Sequence, residues 1–322
     1  MSFKVVITPR SFGSTSPRPL EILQEKGYTI VRNPYERPLK EAELSELARD
    51  ADALLVGIDE VSRRVIANAP RLKVISKYGV GVDNIDLQAA AERGITVTNT
   101  PGVNTETVAD LTVGLMLSAA RQIALADAST RRGEWKKFMG VSLYKKTVGL
   151  LGTGQIGRAV ARRLKGFNVN LLLYDVVQDS TFATEVGGQY AELPGIISMA
   201  DYISIHLPLL PETRNLIGEK ELRSMKPNAI LVNTSRGGIL DETALARALK
   251  EKWIRGAALD VFSQEPPADS ELLSLPNVVL TPHIGAYTEE AVLLMGLEAA
   301  QNVIDVLEGK QPKNIVQCRK VS

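Results

Sequence analysis

Short apolar runs rich in β-branched residues or leucine alternate with segments of helical period from one end of the chain to the other. In the N-terminal third, Lys4–Thr8, Tyr28–Val31, Ala53–Val56, Lys73–Ser76 and Ile95–Thr98 read as strands. Helical stretches such as Leu39–Arg49 and Arg63–Asn68 lie between them. A second strand series starts at Thr147–Leu151 and continues with Val169–Tyr174, Tyr202–His206, Ala229–Asn233, Ala257–Asp260 and Val278–Thr281. This alternation predicts an α/β fold with parallel sheets, because parallel neighbours need a crossover connection, usually a helix.

The two series are separated by Asn104–Gln122, a long and mostly apolar segment that follows the Pro101-Gly102 turn. Asn104 and Thr105 are both good helix N-caps, and a helix apolar around its circumference is expected to be buried. After the last strand, Thr288–Leu307 reads as another long helix, ended near Gly309 and Pro312. These two helices are the natural crossing points between lobes, although periodicity does not say to which lobe the second one belongs. The sequence carries neither internal repeats nor low-complexity tracts.

A chain of 322 residues suggests two domains, and its 44% hydrophobic and 23% charged content is that of a globular protein. The net charge of +1 gives no field that would recruit nucleic acid or an acidic membrane. The single cysteine, Cys318, has no internal partner for a disulfide, which fits a reducing cytoplasm. The run between Lys4 and Arg10 is too short for a signal-peptide core, and Leu111–Ala120 is half of the roughly 20 residues needed to span a bilayer. The expectation is a cytoplasmic protein with no nucleic-acid or membrane partner and no metal.

The sharpest local chemistry is TVGLLGTGQIGRAVARRL, beginning at Thr147. Gly152, Gly154 and Gly157 form G-x-G-x-x-G directly after a strand, with Gln155 and Ile156 inside the turn and helical spacing beyond. Such a motif binds a dinucleotide: the glycines permit a tight turn, close approach of backbone to pyrophosphate, and close helix packing. The helix N-terminus then supplies free N–H groups to the phosphates. Asp175, 18 residues past Gly157, ends the second strand near the spacing of about 20 expected for a ribose-binding acid. A carboxylate accepts hydrogen bonds from a ribose diol and repels a 2′-phosphate, and Val176 and Val177 follow it rather than arginine. The cofactor read from these residues is NAD.

The chain holds two histidines. His206 ends an apolar strand in SIHLPLLPET; it either lines the cofactor cleft together with Pro208 or packs as a strand-end side chain. His283, in TPHIGAYT, lies past the final strand, at the carboxyl edge where open α/β sheets bind ligands. Alone it divides evenly between catalysis and structure.

In order along the chain stand the glycine motif with Asp175, VNTSRGGILDETAL at Val232–Leu245, AALDVFSQEPP at Ala257–Pro267 and TPHIGAYT at Thr281–Thr288. Together they resemble the D-isomer-specific 2-hydroxyacid dehydrogenase family over essentially the whole chain. Within it, KYGVGVDNID at Lys77–Asp86 and WKKFMG at Trp135–Gly140 are similar to segments of phosphoglycerate dehydrogenases, in a short form with no regulatory domain after the last helix. The resemblance implies two Rossmann-like, doubly wound parallel-sheet domains with an active-site cleft between them. Residues 1–98 plus 289–322 would form a discontinuous substrate domain, and 99–288 the NAD-binding domain.

The resemblance also implies a catalytic trio. Arg236 would hold the substrate carboxylate, for which a planar and permanently charged guanidinium is suited. His283 would give a proton to the carbonyl oxygen in reduction and take it back in oxidation. Glu265 would bond the other ring nitrogen, orienting the imidazole and raising its pKa. The Gly79–Gly81 loop, with Val80, would offer backbone N–H groups to the same carboxylate, and the preceding Lys77 and Tyr78 are also expected among the substrate-binding residues. Thr234 and Asp260 resemble cofactor-facing positions, although Asp260 could equally cap a turn. Family members are usually dimers through the nucleotide lobe, and Arg121–Tyr144, with Trp135, Phe138 and Met139, is either an exchanged arm or local core.

For the substrate, 3-phosphoglycerate and its keto acid lead, followed by glyoxylate, hydroxypyruvate and other short keto acids, or a phosphonate. A phosphate needs cations beyond Arg236; here Gly57 and acidic neighbours occupy a first-lobe loop, leaving Lys77, Lys136 and Lys137 as candidates. Formate as substrate is disfavoured, since that branch pairs its histidine with glutamine where this chain has Glu265. A reading from a different class is a non-catalytic NAD(H)-sensing protein on the same scaffold.

Overall fold

The computed structural model describes residues 2–317, so Cys318 lies outside the described residues. The chain divides into two compact units, Met1–Asn104 with Ala286–Ser322, and Thr105–Gly285.

The first unit holds β1 (Lys4–Ile7), β2 (Thr29–Arg32), β3 (Ala53–Val56), β4 (Val74–Lys77) and β5 (Thr96–Thr98) in a five-stranded sheet ordered β2-β1-β3-β4-β5. Every pairing is parallel. Side chains alternate across a strand, so Val5 and Ile7 face one way and Val6 the other. Val6, Leu54, Val56, Ile75 and Val97 pack with Leu44, Val65, Ile66 and Ala90 from helices Glu41–Ala48, Arg63–Ala67 and Leu87–Glu92. Val5, Ile7, Leu55 and Val74 pack instead with Met295, Ala299, Val303 and Ile304 of the helix Glu289–Leu307. That helix is capped by Thr288, whose side chain accepts from the Ala291 N–H.

The second unit holds β6 (Thr147–Leu151), β7 (Asn170–Tyr174), β8 (Gly188–Tyr190), β9 (Tyr202–Ile205), β10 (Ile230–Asn233), β11 (Gly256–Leu259) and β12 (Val278–Leu280). They form a seven-stranded sheet ordered β12-β11-β10-β9-β6-β7-β8, again parallel throughout. Strand order reverses between β6 and β9, which makes the carboxyl ends of those two strands the switch point of the sheet. The helix Thr105–Arg121 buries Val108, Ala109, Thr112, Leu115, Met116 and Ala120. Ala109, Leu115 and Met116 share a core with Val160 and Leu164 of the helix Gln155–Leu164 and with Val232 and Ala258 of the sheet. Among the described residues no single helix is long and apolar enough to cross a membrane.

Tyr78, expected in a substrate-contacting loop, belongs to the core of the first unit. Its ring meets Phe12 edge-on at 5.9 Å, and its hydroxyl donates to the Val292 carbonyl at 3.0 Å. The residue directly follows β4 with its N–H donated to Val56, so the sheet fixes its direction. Tyr78→Phe is expected to lower the unfolding free energy by about 1 kcal/mol in a urea titration, the usual worth of one buried hydrogen bond. An unchanged midpoint and slope would show that the hydroxyl contributes nothing.

Candidate active site

The glycine turn sits at the switch point of the seven-stranded sheet. Gly152 has φ +102°, a region open to glycine, and a Cβ there would lie 2.5 Å from the His206 carbonyl oxygen. A Cβ on Gly157 would lie 2.0 Å from the Gly152 carbonyl oxygen, so the helix start is seated directly on the end of β6. Gly154 is the N-cap of the helix Gln155–Leu164, and the space where its Cβ would be is open. The N–H groups of Gln155, Ile156 and Gly157 therefore surround an uncrowded helix N-terminus, where a diphosphate is favoured.

Asp175 stands at the end of β7 beside this turn. Its Oδ2 accepts from the Thr153 N–H at 2.7 Å and the Thr153 hydroxyl at 3.1 Å, while Oδ1 accepts from the Val177 N–H at 3.3 Å. Val176 and Val177 are 90% and 74% exposed, so the outward side of the carboxylate is open. His206 bonds Ser204 Oγ through Nε2 at 2.8 Å; its Nδ1 is buried with no partner among the described residues. Burial pushes the His206 imidazole down to about 4. Pro208 is exposed, and its carbonyl accepts from the Thr213 hydroxyl at 2.6 Å. Thr234, 6% exposed, faces Thr112, with the two hydroxyls 2.7 Å apart. An open helix N-terminus, a diol-accepting carboxylate and an orphaned imidazole nitrogen beside it fit a dinucleotide.

Arg236, Glu265 and His283 follow β10, β11 and β12, three adjacent strands, so the sheet itself gathers them at one edge. Asn233, 1% exposed, ends β10 and holds the Arg236 turn. Its Oδ1 accepts from the Ser235 N–H and hydroxyl, each at 3.0 Å, and its Nδ2 donates to the Arg236 carbonyl at 2.8 Å. Gly237 lies flat on the next loop: a Cβ would sit 2.0 Å from the Phe262 carbonyl carbon. In that loop Glu265 Oε1 accepts from the Phe262 N–H at 3.0 Å, and Oε2 lies 2.7 Å from His283 Nδ1. Burial pushes the Glu265 carboxyl up, but the bond and charge of His283, the Phe262 N–H and the charge of Arg236 together bring it below its usual range. With Nδ1 turned to the carboxylate, Nε2 is the other ring nitrogen of a side chain that is 36% exposed.

His283 has φ +53°, uncommon for a residue with a side chain. The conformation is imposed by Asp260, 1% exposed, which caps the loop. Its Oδ1 accepts from the Thr281 hydroxyl at 2.6 Å and the Ile284 N–H at 2.8 Å, its Oδ2 from the Gly285 N–H at 2.8 Å, and its carbonyl from the His283 N–H at 2.9 Å. Asn233 and Gly237 carried no individual signal in the sequence. Asparagine before Thr-Ser and a doubled glycine are ordinary turn composition, and only the folded contacts distinguish them.

In the first unit, taken by itself, the loop after β4 has Gly79 at φ +138°. The Gly79 N–H is donated to Thr100 Oγ1 at 3.1 Å and is not available to a ligand, a correction to the expectation that the whole loop offers its amides. The N–H groups of Val80 and Gly81 have no acceptor among the described residues. Lys77 is 7% exposed, and its Nζ donates to the Gly57 carbonyl and, at 2.8 Å, to Asn84 Oδ1. Lys136 pairs with Glu134 at 2.9 Å, and Lys137 is exposed. Trp135 and Met139 are 80% and 85% exposed, so they fill no local core.

The family model for the NAD binding domain of the D-isomer specific 2-hydroxyacid dehydrogenases matches residues 113–285. The chain belongs to this family. Over 283 residues the dehydrogenase is 48% identical to the glyoxylate reductase of Thermococcus litoralis, covering 85% of this chain and 86% of that one. It is 47% identical over 301 residues to the D-3-phosphoglycerate dehydrogenase of Methanocaldococcus jannaschii, covering 92% of this chain but only 57% of that protein. Among solved structures, the TT0316 protein from Thermus thermophilus superposes with a TM-score of 0.88 at 38% identity, over 98% of this chain and all of that one. The second unit thus holds the NAD-binding domain of a dehydrogenase, and the glycine turn, Asp175 and His206 are its candidate dinucleotide contacts.

Gly237→Ala forces a methyl group into the Phe262 backbone and must displace Arg236 or Glu265. Turnover of the 2-keto acid is expected to fall by about 100-fold, the scale of an ångström's misplacement, with NADH affinity unchanged in a fluorescence titration. Wild-type turnover would show that the two loops separate without cost. For His206 the sign follows from its depressed folded value of about 4 against about 6.5 when unfolded. Between those values the unfolded chain binds more protons, so stability falls with falling pH, by up to about 1.4 kcal/mol per unit from this group. His206→Gln should flatten that part of the stability profile between pH 6.5 and 4; parallel profiles would refute the depressed value.

Proposed function

We propose that this dehydrogenase reduces short, unphosphorylated 2-keto acids with NADH, glyoxylate or hydroxypyruvate being the substrate class. The observation that carries the chemistry is the 2.7 Å contact between His283 Nδ1 and Glu265 Oε2, with Arg236 close enough for its charge to act on Glu265. In the proposed reaction Arg236 receives the substrate carboxylate through its planar fork of N–H donors. Bound NADH supplies a hydride to C2 of the keto acid. The imidazolium of His283 gives its Nε2 proton to the carbonyl oxygen, so a hydroxyl forms as C2 is reduced. Glu265 stabilises the imidazolium before transfer and keeps Nδ1 protonated after it, which leaves Nε2 as the acceptor for the reverse reaction.

The preference for an unphosphorylated acid rests on where the cations are. Lys77 and Lys136 are each held by partners of their own chain. Asp59, 4% exposed, and the exposed Glu60 stand in the loop after β3, which carries negative charge rather than a further cation. The amides of Val80 and Gly81 suit a carboxylate, which needs only a pair of donors. Relatives named glyoxylate reductase, including that of Korarchaeum cryptofilum at 45% identity, support the same choice. The likeness to a D-3-phosphoglycerate dehydrogenase keeps 3-phosphohydroxypyruvate as the second reading.

The test is oxidation of NADH followed at 340 nm with glyoxylate, hydroxypyruvate, pyruvate, 2-ketoglutarate and 3-phosphohydroxypyruvate. The highest kcat/KM is expected on an unphosphorylated two- or three-carbon acid, and His283→Ala should lower it by roughly 10²–10⁴-fold, the usual worth of a positioned acid. Fastest turnover of the phosphorylated acid would replace the substrate assignment and keep the trio. Binding of NADH without turnover of any acid would favour a sensing role over catalysis.

A further inference from the structure

Asp175 does not stand alone beside the glycine turn: it is the terminus of a chain of hydroxyls. The Tyr190 hydroxyl, at the end of the edge strand β8, lies 3.1 Å from Thr153 Oγ1 and also accepts from the Asp179 N–H at 3.1 Å. Thr153, 3% exposed, donates its hydroxyl to Asp175 Oδ2 at 3.1 Å. The two ends fix the direction. A backbone N–H can only donate and a carboxylate can only accept, so Asp179 N–H donates to Tyr190, Tyr190 to Thr153, and Thr153 to Asp175. Four groups along the chain are each satisfied once, and reversing any hydroxyl breaks two bonds.

We propose that Tyr190 and Thr153 are positioning residues for Asp175 and set the preference for NAD over NADP by preventing its carboxylate from swinging aside. The brace draws Oδ2 inward and leaves Oδ1 outward, where its single bond, from Val177, is long at 3.3 Å and the neighbouring valines are exposed. A ribose diol finds an acceptor there without reorganisation. A 2′-phosphate finds a negative charge that cannot move away, because moving it would break the bonds to Thr153. The adjacent cation is committed elsewhere. Arg158 donates from Nη1 to Asp179 Oδ2 at 2.8 Å and from Nε to the Thr153 carbonyl at 2.9 Å, with its guanidinium 4.6 Å from the Phe182 ring centroid. Asp179 is itself held in place as the cap of the helix Ser180–Val186 through the Phe182 N–H, so turning Arg158 to a phosphate would break its pair with a fixed carboxylate and its bond to the Thr153 carbonyl.

The inference concerns only the NAD-binding domain and is independent of which keto acid is reduced. Its test is a fluorescence titration of NADH and NADPH, which needs no turnover, on the full chain and on Tyr190→Phe, Thr153→Val, Thr153→Ser and Asp175→Ala. The wild type should bind NADH more tightly. In Tyr190→Phe and Thr153→Val the ratio of the NADPH to NADH dissociation constants should fall by about tenfold, the scale of one hydrogen bond to a charged group. Thr153→Ser, which keeps the hydroxyl, should hold the wild-type ratio. In an Asp175→Ala background, Tyr190→Phe should leave the ratio unchanged, because its effect runs through the carboxylate. A merely structural tyrosine would lower the melting temperature of the variant without moving the ratio. A folded Tyr190→Phe or Thr153→Val with the wild-type ratio would overturn the proposal. So would an equal shift from Tyr190→Phe with and without Asp175, a fall in Thr153→Ser, or a wild type indifferent to the two cofactors.

Discussion

The edge of the second unit that gathers Arg236, Glu265 and His283 depends on one buried carboxylate. Asp260 is 1% exposed, and a charge so placed is tolerable only when its oxygens are satisfied. It finds donors in Thr281, Ile284 and Gly285, all on the loop that carries His283. The loop cannot relax out of its left-handed turn at His283 without stranding that carboxylate, so desolvation itself keeps the imidazole where Glu265 can reach it. Burial pushes Asp260 upward even against these bonds, a sign of how little solvent reaches it. A second constraint is steric. Gly237 and Phe262 meet backbone to backbone, so the turn bearing Arg236 and the turn bearing Glu265 form one layer.

Much of this was legible in the sequence because parallel strands are buried on both faces and stand out as apolar runs. Ala53–Val56 and Thr147–Leu151 agree in sequence and structure, and the other expected strands differ by one residue at an end or both. The miss is β8, Gly188–Tyr190: a three-residue edge strand with a glycine and a glutamine has no apolar run to read. Its omission hid Tyr190, whose role depends on where the edge strand ends. The glycine motif and Asp175 were readable because their spacing is a local property of one strand, turn and helix. The pairing of Glu265 with His283 came through family resemblance, since sequence distance says nothing about which strand ends become neighbours. Tyr78 shows the opposite failure: within a glycine-rich loop it reads as a contact residue, whereas the pleat turns its ring into the core.

The two ends of the second unit solve different problems with the same material. At the switch point, glycines remove side chains so that backbone can approach backbone and leave amides exposed. At the β10–β12 edge, buried Asn233 and Asp260 direct their hydrogen bonds into the turns that carry Arg236 and His283. Precision in both places comes from backbone and buried side chains bonded to one another.

The first unit is written at both ends of the chain, with the entire second unit between its halves. Val5, Ile7, Leu55 and Val74 are complete as a strand face once Lys77 has been made, but the helix that covers them begins only at Glu289. During synthesis, at about 5–20 residues per second, this face waits some ten seconds or more for its cover. The second unit, contiguous in sequence, has all its own strands by Leu280 and can close first. The NAD-binding domain can therefore fold while synthesis continues and the first unit's sheet still lacks the helix that covers one of its faces, and for that interval the exposed apolar face is the surface open to wrong partners.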